Sequence, residues 1–207
     1  MGMAKADKRS KKDEAASKKA AVAKAKAVAP AVAAPIGSTP ATPFRGDPAI
    51  FGRLVEDHDR HRGLLAMLSQ TEGASPERAK LFDEFCHEIK GHAAAEEQAL
   101  WSTVLRNPET TEFARHAVAE HHELDEMIAD LVARDQATPA WKTRFEAMKD
   151  KYLHHIREEE QEQFVESEKH LSGADQRHMK AVFKRRKKAE KAAAKLEKKI
   201  SIAPLPV

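Results

Sequence analysis

Residues 92–97 read His92-Ala-Ala-Ala-Glu96-Glu97, and residues 155–160 read His155-Ile-Arg-Glu-Glu159-Glu160. The chain holds 11 His and 22 Glu, and independent placement of these would give only about 0.1 matches to His-x-x-x-Glu-Glu. Four residues is slightly more than one helical turn, so each His and its Glu stand on one face about 6 Å apart. An imidazole and a carboxylate placed in this way can grip one metal ion. Two further histidines, His58 and His121, lie on two other segments of helical period. This is the layout of a metal site inside a four-helix bundle.

Working outward, the apolar residues fall at steps of three and four in four successive segments. In the first, Phe51, Leu54, Val55, His58, Leu65 and Leu68 form the stripe. Asp47-Pro48 supplies a cap acceptor and a proline at the first helical position, and Gly73 closes the segment. Ser75-Pro76-Glu77 repeats the start signal for a second helix burying Phe82, Phe85, Ile89, His92, Glu96, Leu100 and Val104, with Asn107-Pro108 closing it. The third runs from about Glu109 to Arg134 with Phe113, Val118, His121, Leu124, Ile128 and Leu131 on one face. Thr138-Pro139 opens the fourth, which buries Phe145, Met148, Tyr152, His155 and Glu159 and ends at Leu171-Ser172-Gly173. Short connections between long helices favour an all-α, antiparallel up-down-up-down four-helix bundle. A fifth segment, 174–199, has helical propensity but is mostly Lys, Arg and Ala. Only Met179, Val182 and Phe183 look able to pack, so it is expected to dock at its start and project into solvent.

Charge divides the chain into three parts. Residues 1–45 carry 10 basic and 3 acidic side chains, residues 179–200 carry 10 and 2, and the stretch 46–178 between them has a net charge of −12 and all the histidines. The first part is Ala, Lys, Val, Pro, Ser and Thr with a single aromatic, too little apolar surface to offset the entropy of ordering. The expected organisation is a disordered basic arm over 1–45, a metal-binding bundle over 46–185, and a basic helical tail with a short flexible end over 186–207. A single Cys86 excludes an internal disulfide and any cysteine-rich zinc or iron–sulfur site. No apolar run approaches the ~20 residues that span a bilayer, and the N-terminus lacks a secretory pattern. A cytoplasmic protein is the default expectation.

What interrupts the four apolar stripes is more informative than the stripes themselves. His58, His92, Glu96, His121, His155 and Glu159 stand where the period asks for Leu or Phe. Each alone could belong to a polar face, where His and Glu usually sit. All six in register with the core on four helices is another matter, because an unpaired buried carboxylate costs several kcal/mol or stays protonated. A metal cation would neutralise Glu96 and Glu159.

The order Asp57-His58, His92-xxx-Glu96-Glu97, Glu120-His121, His155-xxx-Glu159-Glu160 resembles the hemerythrin-like, or HHE cation-binding, domain. The match covers roughly 50–185. The resemblance implies a non-haem di-iron centre, with His58, His92, His121 and His155 as terminal ligands and Glu96 and Glu159 bridging two Fe ions. The oxygen-storing hemerythrins of invertebrates carry HxxxH on the third helix and HxxxxD on the fourth. Here Ala117 and Asp125 flank His121 at four residues, and Glu160 follows His155 at five, so one terminal histidine is missing. The pattern is closer to bacterial hemerythrin-like proteins linked to nitric oxide and oxidative stress, iron–sulfur repair, and oxygen or redox sensing. Two six-coordinate irons offer about twelve positions. Four His and two bridging Glu fill eight, an oxo or hydroxo bridge two more, and about two stay open for O₂, NO or peroxide.

Some assignments stay open in the sequence. His61, one turn after His58, could be an extra ligand or a hydrogen-bonding neighbour of the ligands. His154 with Glu158 also fits the motif, one residue out of register, but positions 145, 148, 152, 155 and 159 make the single stripe. His87, His116, His122, His170 and His178 read as solvated, and Tyr152, within a turn of His155, as core, with a hydrogen bond behind the ligands as the alternative. Ligands alone do not reveal turnover. A protein that binds or senses O₂, NO or peroxide or handles iron, and a di-iron enzyme that decomposes peroxide, therefore share this pattern. Ferritin-like di-iron oxidases fit less well, since their motif is Glu-x-x-His. The Lys-rich ends could also hold nucleic acid or an acidic partner weakly and without sequence preference. No feature sets the oligomeric state.

Overall fold

The structure, a computed structural model, describes residues 43–202, with side chains as far as residue 194. The arm expected over 1–45 lies outside the described residues up to position 42. Four helices form an antiparallel bundle: α1 (Ile50–Ser69), α2 (Pro76–Glu96), α3 (Thr111–Val132) and α4 (Pro139–Glu158). A fifth, α5 (Gly173–Ile202), follows. No strand occurs among the described residues, and none of their helices is long and apolar enough to cross a membrane.

The start signals act as their chemistry dictates. Ser75 Oγ accepts from the backbone N–H of Arg78 (3.1 Å), and Thr138 Oγ1 from that of Trp141 (3.2 Å), each followed by proline at the first helical position. The first helix departs from expectation. It begins at Ile50 rather than at Pro48, because residues 43–46 make a turn with Gly46 at φ +86° and deliver Asp47 two residues ahead of the N-cap position, Ala49. Asp47 still caps it, with Oδ2 accepting from the N–H groups of Ala49 (2.9 Å) and Gly52 (3.1 Å). Gly52 is required beneath this loop, since a Cβ there would stand 2.0 Å from the Asp47 carbonyl oxygen. That obstacle is backbone. Gly52→Ala should therefore displace the loop and its cap at a cost of about 2–3 kcal/mol, read as a lower urea midpoint. Unchanged stability would show that the entry loop is free to move.

Two π-helical turns were not legible in the sequence. α2 continues through Glu97–Trp101 in π form and then Ser102–Val104, and α4 through Glu159–Gln163 in π form and then Phe164–Lys169. Each begins within one residue of the Glu of a His-x-x-x-Glu-Glu motif, and π turns concentrate at functional sites.

The core is split in two. One apolar cluster holds Leu64, Leu65, Leu68, Phe82, Phe85, Ile128, Trp141, Phe145 and Met148 among others. The second holds Ile50, Phe51, Leu54, Leu100, Trp101, Ala114, Ala117, Phe164 and Phe183. The polar interruptions of every stripe fall between them: position 58 between 54 and 64, 92 and 96 between 89 and 100, 121 between 117 and 124, 155 and 159 between 148 and 164. On α3 the face includes Ala114 and Ala117, while Val118, expected inside, is exposed. His121, Leu124, Ile128 and Leu131 lie inside as expected, whereas near the start of the helix the small Ala114 and Ala117 are buried in place of Phe113, which is half-buried, and Val118.

α5 also corrects an expectation. It does not leave the bundle after Phe183 but lies along α1 and α2 at least as far as Glu190, whose Cβ stands 3.6 Å from where a Cβ on Gly91 would be. Lys187 is the reason. Its side chain is buried, with Nζ against Asp57 Oδ2 and 3.0 Å from Glu88 Oε2, while Lys191 reaches Glu88 Oε1 at 2.7 Å. A composition that reads as a solvated basic tail is here a set of counter-charges for buried acids.

Candidate metal centre

All six residues singled out by the sequence converge in the layer between the two apolar clusters, and all are buried. His58, His92 and Glu96 form one group whose ligand atoms lie within 4.8 Å of one another, and His121, His155 and Glu159 form a second. The carboxylates link the groups. Glu159 presents Oε2 to His58 Nε2 (3.4 Å) and Oε1 to His155 Nε2 (3.4 Å) and His121 Nε2 (4.0 Å). Glu96 Oε2 faces His92 Nε2 (3.6 Å) and His121 Nε2 (3.5 Å). Each Glu thus spans both pairs of imidazoles.

Every one of the four histidines turns Nε2 inward, and the reason is found on its other nitrogen. His92 Nδ1 meets Asp57 (3.2 Å), His121 Nδ1 meets Glu97 (2.9 Å), His155 Nδ1 meets Glu120 (2.9 Å), and His58 Nδ1 meets Glu160 (2.8 Å). The four acids are those adjacent in sequence to a cage residue. One helix position is a rotation of about 100°, so an acid beside an inward residue points at the neighbouring helix. Asp57 of α1 serves α2, Glu97 at the end of α2 serves α3, Glu120 of α3 serves α4, and Glu160 beyond α4 closes the ring on α1. An ionised carboxylate accepts, so each Nδ1 carries the proton and each Nε2 presents its lone pair to the centre. Such partners fix the ring and raise the basicity of the nitrogen that faces a metal.

Cations hold this outer ring in turn. Arg62, fully buried, reaches Glu160 Oε1 at 2.9 Å. Arg53 (2.7 Å) and Lys187 hold Asp57, and Lys151 lies 3.3 Å from Glu120. Burial pushes the Asp57 carboxyl up, but the hydrogen bond from His92 and the charges of His92, Lys187 and Arg53 outweigh it and hold it far below the carboxylate range. For Glu120 the same contest, with His155 as the main partner, ends at about 2. Asp57 and Glu120 are therefore ionised at neutral pH.

Inside the cage the balance is reversed. Burial, with the nearby Glu96, Glu160 and Glu120, pushes Glu159 well above its ordinary value. Burial also raises Glu96, against the pull of His92 and His121. Burial takes His58 well below the imidazole range, and His155 down to about 4. None of the four oxygens of Glu96 and Glu159 has a hydrogen-bond partner, although both side chains are fully buried. Two buried carboxyl groups without hydrogen-bond partners, set among four inward-facing Nε2 atoms, make a donor set that divalent or trivalent cations fit. Imidazole nitrogen and carboxylate oxygen are ligands for iron, zinc and manganese alike.

The remaining histidines sort cleanly. His154 is exposed and Glu158 half-buried, so the register containing His155 and Glu159 is the inward one. His116, His122 and His178 are exposed, whereas His87 and His170 are half-buried. His61 is fully buried, and its Nδ1 lies 2.5 Å from the Tyr152 hydroxyl. Burial and the charges of Glu159 and Glu96 push the Tyr152 phenol well above its ordinary value, so it keeps its proton and donates it to Nδ1. Burial likewise keeps His61 neutral. Its own proton then sits on Nε2, which makes that atom a donor rather than a ligand. Neither three-residue group contains His61. The roles of Asp57, Glu97, Glu120 and Glu160 were missed in the sequence, although these acids were visible there as doublets with a cage residue, whereas Tyr152 takes its hydrogen-bonding alternative, with His61 as partner.

A four-helix bundle with two bridged His–His–Glu groups at its centre defines a metal-binding bundle. The family model of the hemerythrin HHE cation binding domain matches residues 49–165. The chain belongs to the hemerythrin HHE cation-binding domain family, whose domains bind metal cations. Among solved structures, a hemerythrin HHE cation binding domain-containing protein from Mycobacterium kansasii is similar at 22% sequence identity and a TM-score of 0.64, over 72% of this chain and 91% of that one. At that identity the likeness concerns the fold. No curated protein matches the chain.

Proposed function

We propose that the chain is a non-haem di-iron protein of the hemerythrin type that takes up O₂, NO or peroxide or handles iron under stress. The single observation that carries this reading is the pair of fully buried carboxylates, Glu96 and Glu159, each facing imidazoles of both groups and neither hydrogen-bonded. His58 and His92 would hold one iron, His121 and His155 the other, with Glu96 and Glu159 shared between them. When bound, a di-iron pair with open positions supplies reversible or redox chemistry toward small oxygen and nitrogen ligands. The chain's own contribution is to orient four lone pairs through Asp57, Glu97, Glu120 and Glu160, to exclude water by the two apolar clusters, and to place the His61 N–H beside the centre.

Elemental analysis of the untagged chain, expressed with iron supplied, tests the reading. Two irons per chain are expected. No metal, or sub-stoichiometric zinc, would overturn it. Peroxide consumption by the loaded chain then separates a turnover enzyme from a binding or sensing protein.

A pH signature follows from the raised carboxylates. A folded-state pKa above the unfolded value of about 4.3 contributes stability that is full below that value and lost as pH rises through the folded pKa. Glu96 and Glu159 thus favour the metal-free fold in acid. His155, depressed to about 4, acts oppositely: its contribution is present above about 6.5 and lost as pH falls through about 4. Metal binding near neutrality should release protons from the cage, measurable as a buffer-dependent heat. Proton-neutral binding at pH 7 would contradict the buried-carboxylate argument.

A weaker second reading rests on the cleft lined by Arg53, Arg60, Lys184, Lys187, Lys188 and Lys191, in which Asp57 and Glu88 are the opposing acids. This excess of cations supports weak, sequence-independent attachment to nucleic acid or an acidic partner. Retention on DNA that disappears with moderate salt is the expected result, and retention independent of salt would exclude it.

A further inference from the structure

Outside the cage, the described residues hold one more three-ligand group. We propose that His116, Glu120 and Glu158 form a solvent-facing site for a divalent first-row cation such as Fe²⁺, Zn²⁺ or Co²⁺, and that this site loads the buried cage. The residues come from two helices. His116 and Glu120 stand one turn apart on α3, and Glu158 ends α4. His116 Nε2 lies 3.5 Å from Glu120 Oε2 and 3.5 Å from Glu158 Oε1. It forms a directed hydrogen bond with neither. On a tetrahedral ion with bonds of about 2.1 Å, neighbouring ligand atoms stand about 3.4 Å apart. The spacing therefore leaves room for an ion among the three atoms, as it does among the cage residues.

The surroundings specify what kind of site this is. His154 Nε2 lies 3.3 Å from the second oxygen of Glu158, and Arg157 donates to His154 Nδ1 (3.2 Å), which places the His154 proton on Nε2. His154 therefore orients Glu158 and is not itself a ligand. Lys151 approaches the other Glu120 oxygen at 3.3 Å and pairs with Glu123 at 2.6 Å. Its charge and that of Arg157 weaken cation binding without blocking the three ligand atoms. His116 is 50% exposed, so water would complete the coordination. Three protein ligands with open positions and nearby positive charge suit a weak, rapidly exchanging site.

Its position suits loading. The Glu120 oxygen that faces His116 is the one that accepts from His155 Nδ1 at 2.9 Å. One carboxylate thus joins the exposed imidazole to a histidine of the cage. The cation site stands on its own geometry, whereas the loading role rests on the proposed function of the cage.

The test uses the full chain, stripped of metal and titrated with Co²⁺ by equilibrium dialysis and visible absorption. The parent chain is expected to bind one Co²⁺ more, and more weakly, than either His116→Ala or Glu158→Gln, with His170→Ala behaving as the parent. Equal stoichiometry and affinities in parent and His116→Ala would overturn the site. If the cage itself held no metal, the additional Co²⁺ would still appear in the parent and vanish in His116→Ala, which separates the two readings. Stopped-flow filling of the cage at limiting Co²⁺ is expected to slow about tenfold in His116→Ala, the scale on which local charge and capture change on-rates, with the final cage content unchanged. An unaltered filling rate would overturn the loading role.

Discussion

Glu159→Gln is expected to make the metal-free chain more stable and the metal-loaded chain less stable. The amide is close to the carboxyl group in shape but avoids the cost of either ionising or protonating a carboxyl in a fully buried layer where it has no hydrogen-bond partner. Relief of that burden should add about 1–2 kcal/mol, a rise of about 2–8 °C in Tm for a chain of this size. The same change removes the oxygens that face His58 on one side and His155 on the other, and most bound metal should be lost with them. With free metal near 1,000 times its Kd the parent gains about 4 kcal/mol from binding, and the variant should gain little of it. Thermal melts with and without metal would therefore cross. His92→Ala should lose metal as well, without the apo gain, because it opens a cavity and leaves Asp57 with one hydrogen bond fewer. His170→Ala should keep its metal. Equal metal content in all three variants, or parallel shifts of both melts, would sink the assignment of the cage.

A chain ending at Lys180 should lose a large share of its stability and of its metal affinity, although everything removed lies outside the family-matched residues 49–165. Phe183 is fully buried against Met179 and the second apolar cluster, and its loss costs about 2–3 kcal/mol. Removing Lys187 leaves Asp57 and Glu88 short of a buried counter-charge, which costs about 3 kcal/mol more when a buried pair is broken. The total is a sizeable fraction of the 5–15 kcal/mol typical of a folded domain. Lys187→Met isolates the electrostatic part. Asp57 keeps Arg53 but loses its closest cation, so its grip on His92 Nδ1 loosens, and metal affinity should fall about tenfold, as for other partners behind metal-binding histidines. A double-mutant cycle with Asp57→Asn should show coupling of at least about 0.5 kcal/mol. If Lys187→Met leaves both stability and metal affinity unchanged, α5 is a passenger.

The ring of acids explains why the sequence pattern is one of doublets. Each cage residue or its motif carries an acid one position away, and that acid meets the inward histidine of the next helix. The arrangement ties the order of helices around the bundle to the tautomer of every inward histidine. A bundle with two helices exchanged would leave histidines without partners and carboxylates without donors. The doublets therefore specify topology as well as chemistry.

Much of this protein was determined by sequence alone. Helical period, Ser75-Pro76 and Thr138-Pro139 starts, and six polar interruptions in register with four stripes are local properties that need no fold to be read. They place four helices and the inward faces of His58, His92, Glu96, His121, His155 and Glu159. Tertiary structure decided what local pattern could not: that Asp57, Glu97, Glu120 and Glu160 each serve a neighbouring helix, that His61 turns to Tyr152, that Val118 lies outside, and that a lysine-rich helix returns to bury Lys187. The reason is physical. Periodicity reports which face of a helix meets the core, whereas the partner of a charged side chain depends on which other element lies a few ångströms away.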